Sequence, residues 1–192
     1  MKVSMPRPRT RSVLCCALML WGAFHGAMAQ STAEVRAVQD LLSNGQAAQA
    51  LQRLEAQDAR TPASDITAAG STGTAAELRF LRGVALMDLR RDAEALAWFE
   101  RMAQDHPELP DPYNNIALLH ARAGRLEPAR QALETALRND PSFRVARANL
   151  GLVHLMLAVQ AWEQVVATGP ADPQLVRRLE GARALIAAAA PR

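Results

Sequence analysis

Ala129-Arg130-Gln131-Ala132-Leu133-Glu134-Thr135-Ala136-Leu137-Arg138-Asn139-Asp140-Pro141 repeats the layout of Ala95-Leu96-Ala97-Trp98-Phe99-Glu100-Arg101-Met102-Ala103-Gln104-Asp105-His106-Pro107, which lies 34 residues earlier. Both stretches begin on alanine, place a large apolar residue four positions on (Phe99, Leu133) and end on proline. Upstream, Gly83 and Ala117 keep the same offset. Each position has a physical job. A small residue at Gly83 or Ala117 lets a first helix approach a second closely, and Ala95 or Ala129 does the same from the second helix. Phe99 and Leu133 fill the gap between helix pairs. Gly124 permits the positive φ of a helix C-terminus. Pro107 and Pro141 stop the second helix, because proline lacks the N–H donor and crowds the preceding turn.

The set resembles the tetratricopeptide-repeat family, whose period is about 34 residues. The segment Pro110-Asp111-Pro112-Tyr113-Asn114-Asn115-Ile116-Ala117, running on to Gly124, is close to the family pattern, with Tyr113 at a place where an aromatic is usual. The resemblance is strongest over residues 76–141. It implies an all-α fold, a short α-solenoid of helix-turn-helix repeats closed by a C-terminal capping helix.

Both ends depart from the period. In residues 30–62, Gly45, Ala50, Leu54 and Pro62 occupy the turn, small, large and stop positions of a degenerate first repeat, and Val35, Val38, Leu41 and Leu42 form its first apolar face. Residues 63–75 are too rich in Ser, Thr, Gly and Ala to bury apolar surface and read as a flexible linker. The array then spans 76–170, with repeats at 76–109 and 110–143 and a degenerate third at 144–170. In that third repeat Leu150 and Gly151 keep the offset from Ile116 and Ala117. Ala158, Trp162, Val165 and Pro170 supply a second-helix pattern. Five residues are missing where the turn belongs, so residues 144–168 are expected as one long helix; a short, overwound turn is the alternative. Residues 171–192 hold the capping helix and tail. There Asp172 is the N-cap, Pro173 the first helical residue, and Leu175, Leu179, Ala182 and Ile186 one apolar stripe.

Residues 1–29 read as a cleavable secretory signal. Lys2, Arg7, Arg9 and Arg11 precede the apolar run from Val13 to Trp21, and Ala27-Met28-Ala29 supplies small residues before Gln30. The run is shorter than the roughly 18 residues of a membrane span. No small residue precedes Cys16 as a lipobox requires, and Arg9-Thr10-Arg11 is not a twin-arginine pair. The expected location is therefore the periplasm of a bacterium, with no membrane span after signal removal. Removing those four cations takes the formal net charge from +3 to −1. The chain beyond residue 29 thus has no basic excess for nucleic acid. Cys15 and Cys16 lie in the same segment, so no thiol remains for a disulfide, a nucleophile or a thiolate metal site.

Nucleophile elbow, phosphate loop, zinc-binding helix and cysteine-pair motifs are absent. The expectation is no enzyme, no cofactor and no metal. The family resemblance places a partner-binding groove along the first helices. The residues carried over are Phe80, Val84 and Met87; Asn115, Leu118 and Arg122; and Asn149, Leu152 and Met156. Asn115 and Asn149 are equivalent, so their amides are expected side by side, offering donors and acceptors to an extended peptide. His120 and His154 are equivalent too and are read as packing residues in place of an aromatic. Where some members of the family clamp a C-terminal carboxylate with lysines and asparagines, Arg122 or Arg147 would have to substitute for the lysine. The expected function is a scaffold or adaptor for a protein or peptide partner. Alternatives are a chaperone-like factor for extended exported clients and a self-associating structural protein, a homo-oligomer through exposed apolar faces.

Overall fold

The computed structural model describes residues 32–58, 72–170 and 172–189, and these contain helices and no strand. The helices are α1 (residues 32–43), α2 (Ala47–Asp58), α3 (Thr72–Asp88), α4 (Asp92–Asp105), α5 (Pro110–Arg122), α6 (Leu126–Asn139), α7 (Arg144–Thr168) and α8 (Pro173–Ala189). The expected signal at 1–29, the stop Pro62 and residues 63–71 of the expected linker lie outside the described residues. The linker does not extend to Ala75, because α3 begins at Thr72. The chain divides into two compact units, one ending at Ala85 and one beginning at Leu86.

In the first unit the apolar faces of α1 and α2 meet. Val35, Val38, Ala50 and Leu54 form one buried cluster with Leu81 of α3, and Leu41, Leu42 and Leu78 pack at its edge. The first helix pair is thus docked on the early turns of α3. Arg53 makes a two-pronged ion pair with Glu34, at 2.6 and 2.8 Å, and Gln39 Nε2 donates to Glu77. These exposed contacts add modestly to burial.

In the second unit α4 packs on α5, α5 on α6, α6 on α7 and α7 on α8, with a smaller contact from α5 to α7. The small and large positions read from sequence are the interior: Ala95, Phe99, Ala129, Leu133 and Ala136 are fully buried and Ala117 nearly so. Ala117, Ala129, Leu133 and Ala136 share one cluster with Ala146 and Val153 of α7. Alanine at close-approach sites lets helix backbones come near enough to enclose Leu133.

Three turns share one hydrogen-bond pattern. The Gln46 N–H donates to Leu41 O and the Gly45 N–H to Leu42 O; Arg91 and Arg90 repeat this on Leu86 and Met87, and Arg125 and Gly124 on His120 and Ala121. This is the Schellman closure, which needs a left-handed residue. Gly45 and Gly124 supply it at φ 72°, and Arg90 at φ 58°. No such turn interrupts α7, which runs unbroken for 25 residues. The helix is long and apolar enough to cross a membrane by length and composition, a test that core helices of folded proteins also pass. Asp172 caps α8, accepting the Gln174 N–H at 2.9 Å ahead of Pro173.

Candidate functional site

Phe80 and Val84 belong to the first unit and are half-buried. The other candidates belong to the second. Met87 and Asn115 are interior there, while Leu118, Asn149, Leu152 and Met156 are half-buried and Arg122 is exposed.

The amides are arranged differently from the sequence expectation. Asn149 Nδ2 donates to Asn114 Oδ1 at 2.8 Å, so its partner is Asn114 rather than the equivalent Asn115. Asn115 turns back on its own helix and donates from Nδ2 to the Asp111 carbonyl at 2.9 Å. Neighbouring residues on a helix point about 100° apart. The stagger between α5 and α7 therefore selects which of two adjacent asparagines meets the next helix. Asn114 is the residue missed from sequence. Its signal is the helical spacing Asn114, Leu118, Arg122, which places all three on one face of α5.

The cross-helix amide bond sets the α5 face beside the matching face of α7. Leu118 follows Asn114 by one turn, and Leu152 and Met156 follow Asn149 along α7. The result is a polar bridge flanked by half-buried aliphatic and thioether side chains. Met156 also lines a cleft of about 430 Å³ with Leu126, Val159, Ile186 and others. At its wall Arg183 pairs with Glu163 at 2.6 Å. Such a cleft accepts apolar groups of side-chain size.

The charged groups near this face are engaged. Arg122 Nη1 lies 3.3 Å from Asp92 Oδ1, and Arg147 donates to the Pro141 carbonyl. Both clamp candidates thus hold neighbouring structure. His120 accepts from Arg125 Nε at Nδ1, 3.0 Å away. Burial, reinforced by the Arg125 charge against a weaker opposing pull from Glu100, holds its imidazole below the usual range. His120 therefore works as a neutral packing group whose Nδ1 accepts from the Arg125 guanidinium. His154 is exposed. Among the described residues no group of three or more His, Cys, Asp or Glu side chains is placed to hold a metal ion. Glu127, Arg130 and Glu134 form an ion-pair ladder along α6, a solvated face as its alternating charge predicts.

Residues 110–143, which are α5, the turn at Gly124, α6 and the approach to α7, match the tetratricopeptide repeat family. A crystal structure from Bacteroides ovatus ATCC 8483, provisionally assigned as a protein-binding protein, is similar at 18% identity over 82% of each chain with a TM-score of 0.44. The matched repeat, the 34-residue offsets and the buried small residues agree: residues 110–143 form a repeat of the tetratricopeptide type.

Proposed function

We propose that this protein is a non-enzymatic scaffold that binds a segment of a partner protein along the faces of α5 and α7, and that it does so in the periplasm after export by residues 1–29. The observation that carries the reading is the Asn149–Asn114 bond, which joins two first-helix faces into one wall. An amide pair beside Leu118, Leu152 and Met156 suits a partner that brings both backbone polar groups and apolar side chains. Amides supply donors and acceptors, the aliphatic groups supply burial, and the flexible thioether of Met156 adapts to the side chain that enters. With Arg122 and Arg147 engaged, the wall is not built around a fixed cation for a terminal carboxylate. The N-terminal cations, the short apolar run and Ala27-Met28-Ala29 support the export reading.

The test is capture from envelope extract on the C-terminally tagged protein, beside a Leu118→Glu/Leu152→Glu variant whose helical content is checked by circular dichroism. The expected result is one protein retained by the wild type and lost by the variant, with bait whose intact mass begins at Gln30. An identical catch on both baits would remove the site from this face. Bait recovered with residues 1–29 attached would remove the export reading.

A further inference from the structure

We propose that α7 is a hairpin opened by loss of its turn, and that a second copy of this chain restores the missing packing through an antiparallel α7–α7 contact. In the α5–α6 hairpin of the same unit, Ala117 on the first helix and Ala129, Leu133 and Ala136 on the second are buried in one cluster. The corresponding residues of the next repeat, in order, are Gly151, Ala158, Trp162 and Val165. All four sit on the single helix α7, so the two halves of a hairpin are covalently in line and cannot fold onto each other.

The consequence is visible residue by residue. Gly151 is exposed, and a Cβ built there meets nothing within 4 Å. Val165 is 53% exposed, where Ala136 is fully buried. Ala158 is only half-buried. Trp162 is partly covered, by packing against Val159, Leu179 and Ala182 at the junction with α8. Thus α8 replaces one part of the absent second helix and leaves the side carrying Gly151, His154, Ala161 and Val165 open. That side carries the first-helix pattern in its N-terminal half and the second-helix pattern in its C-terminal half. A second α7 running the opposite way presents the complementary half to each, and the contact closes with two-fold symmetry. Deletion of a connecting turn is a recognised route from an internal pair to an exchanged one.

Helix polarity fits the antiparallel direction. Arg144 and Arg147 stand at the N-terminal end of α7. Antiparallel pairing brings the arginines of one copy to the negative pole of the helix dipole in its partner, whereas parallel pairing sets arginine on arginine. Glu163 is held by Arg183 of α8 and takes no part in the contact. A lipid bilayer is the poorer occupant, because spanning it would require Ala146 and Val153 to leave their buried places against α5 and α6.

The register sets Gly151 of one copy beside Ala158 of the other, and this supplies the test. Along one helix the two positions are about 10.5 Å apart at 1.5 Å per residue, beyond the roughly 7 Å limit for a disulfide. In a Cys15→Ser/Cys16→Ser background of the full chain, Gly151→Cys/Ala158→Cys is expected to form a covalent dimer on oxidation, and neither single cysteine variant does. The uncrosslinked protein is expected to sediment at twice the chain mass. Inserting Ala-Arg-Ala-Gly-Arg, the sequence of residues 121–125, after His154 restores the turn and is expected to give a folded monomer by sedimentation and circular dichroism. A wild-type monomer at high concentration, whether or not it floats with phosphatidylcholine vesicles, overturns the proposal. So does a dimer in which the double variant fails to crosslink, or one in which Gly151→Cys alone crosslinks to itself.

Discussion

Arg90 holds a left-handed backbone angle that glycine holds at Gly45 and Gly124. The turn geometry is the same in all three places, so the repeat imposes this conformation whatever the side chain. For a residue with a Cβ it costs about 1–2 kcal/mol, against which glycine's greater freedom in the unfolded chain offsets roughly 0.5–1 kcal/mol. Arg90 is exposed and loses little packing on removal. Arg90→Gly is therefore expected to stabilise the protein by about 0.5–1 kcal/mol, read as a higher urea midpoint at unchanged slope; a lower midpoint would refute it. His120 gives the second expectation at this scale. Its folded-state pKa lies below its unfolded value, so as pH falls through about 6.5 the unfolded chain takes up a proton that the folded one resists. Stability should decline as pH falls from that value until the folded-state pKa is also passed, and His120→Gln should remove this part of the decline. Asp140 acts in a lower window: the Ser142 hydroxyl and backbone N–H hold its carboxyl below the usual range, and that contribution is lost only as the carboxyl itself protonates. A thermal midpoint flat between pH 7.5 and 5, or a slope unchanged in the variant, would remove His120 from the account.

The elements were legible where spacing alone determines packing. Pro107 and Pro141 mark the ends of α4 and α6 because a proline disfavours helix in the residue before it, and the helices stop at Asp105 and Asn139. Ala95, Ala129, Phe99 and Leu133 were legible as interior because close helix approach needs small residues opposite large ones, whichever relative acts as template. The continuity of α7 was legible from five absent residues, and the cap of α8 from Asp172 before Pro173. The start of α3 was not legible. Thr72, Gly73 and Thr74 have weak helix propensity, yet the helix begins there; its packing through Leu78 and Leu81 on α1 and α2 gives the segment a stability that composition does not report. The Asn149–Asn114 bond was illegible for another reason. Sequence offsets align equivalent residues, whereas contacts between successive first helices join non-equivalent ones, displaced by the stagger of the repeat. Of the two amides named from sequence, Asn149 makes the cross-helix bond and Asn115 stands one residue from the Asn114 that accepts it.

At the scale of the whole molecule each unit has its own apolar cluster, and in the second unit helices pack mainly on their neighbours in chain order. Stability in such an array is close to a sum of local terms and neighbour interfaces, so the effect of a lesion depends on its place in the series. Leu133 stands in the middle of the second unit and is fully buried; Leu179 stands on the last helix and is nearly so. Truncating either to alanine removes a similar side chain, at about 2–5 kcal/mol. The distribution should differ. Leu133→Ala breaks the cluster that joins α5, α6 and α7 and should lower amide protection throughout the second unit. Leu179→Ala breaks only the α7–α8 contact around Val159 and Trp162, so exchange should quicken in α8 and the C-terminal half of α7 while α5 and α6 keep their protection. Peptide-resolved hydrogen exchange under native conditions separates the two patterns. Equal loss of protection in α5 and α8 on Leu179→Ala would mean that the unit opens as one body, and that α8 is part of its cooperative core rather than a cap on its end.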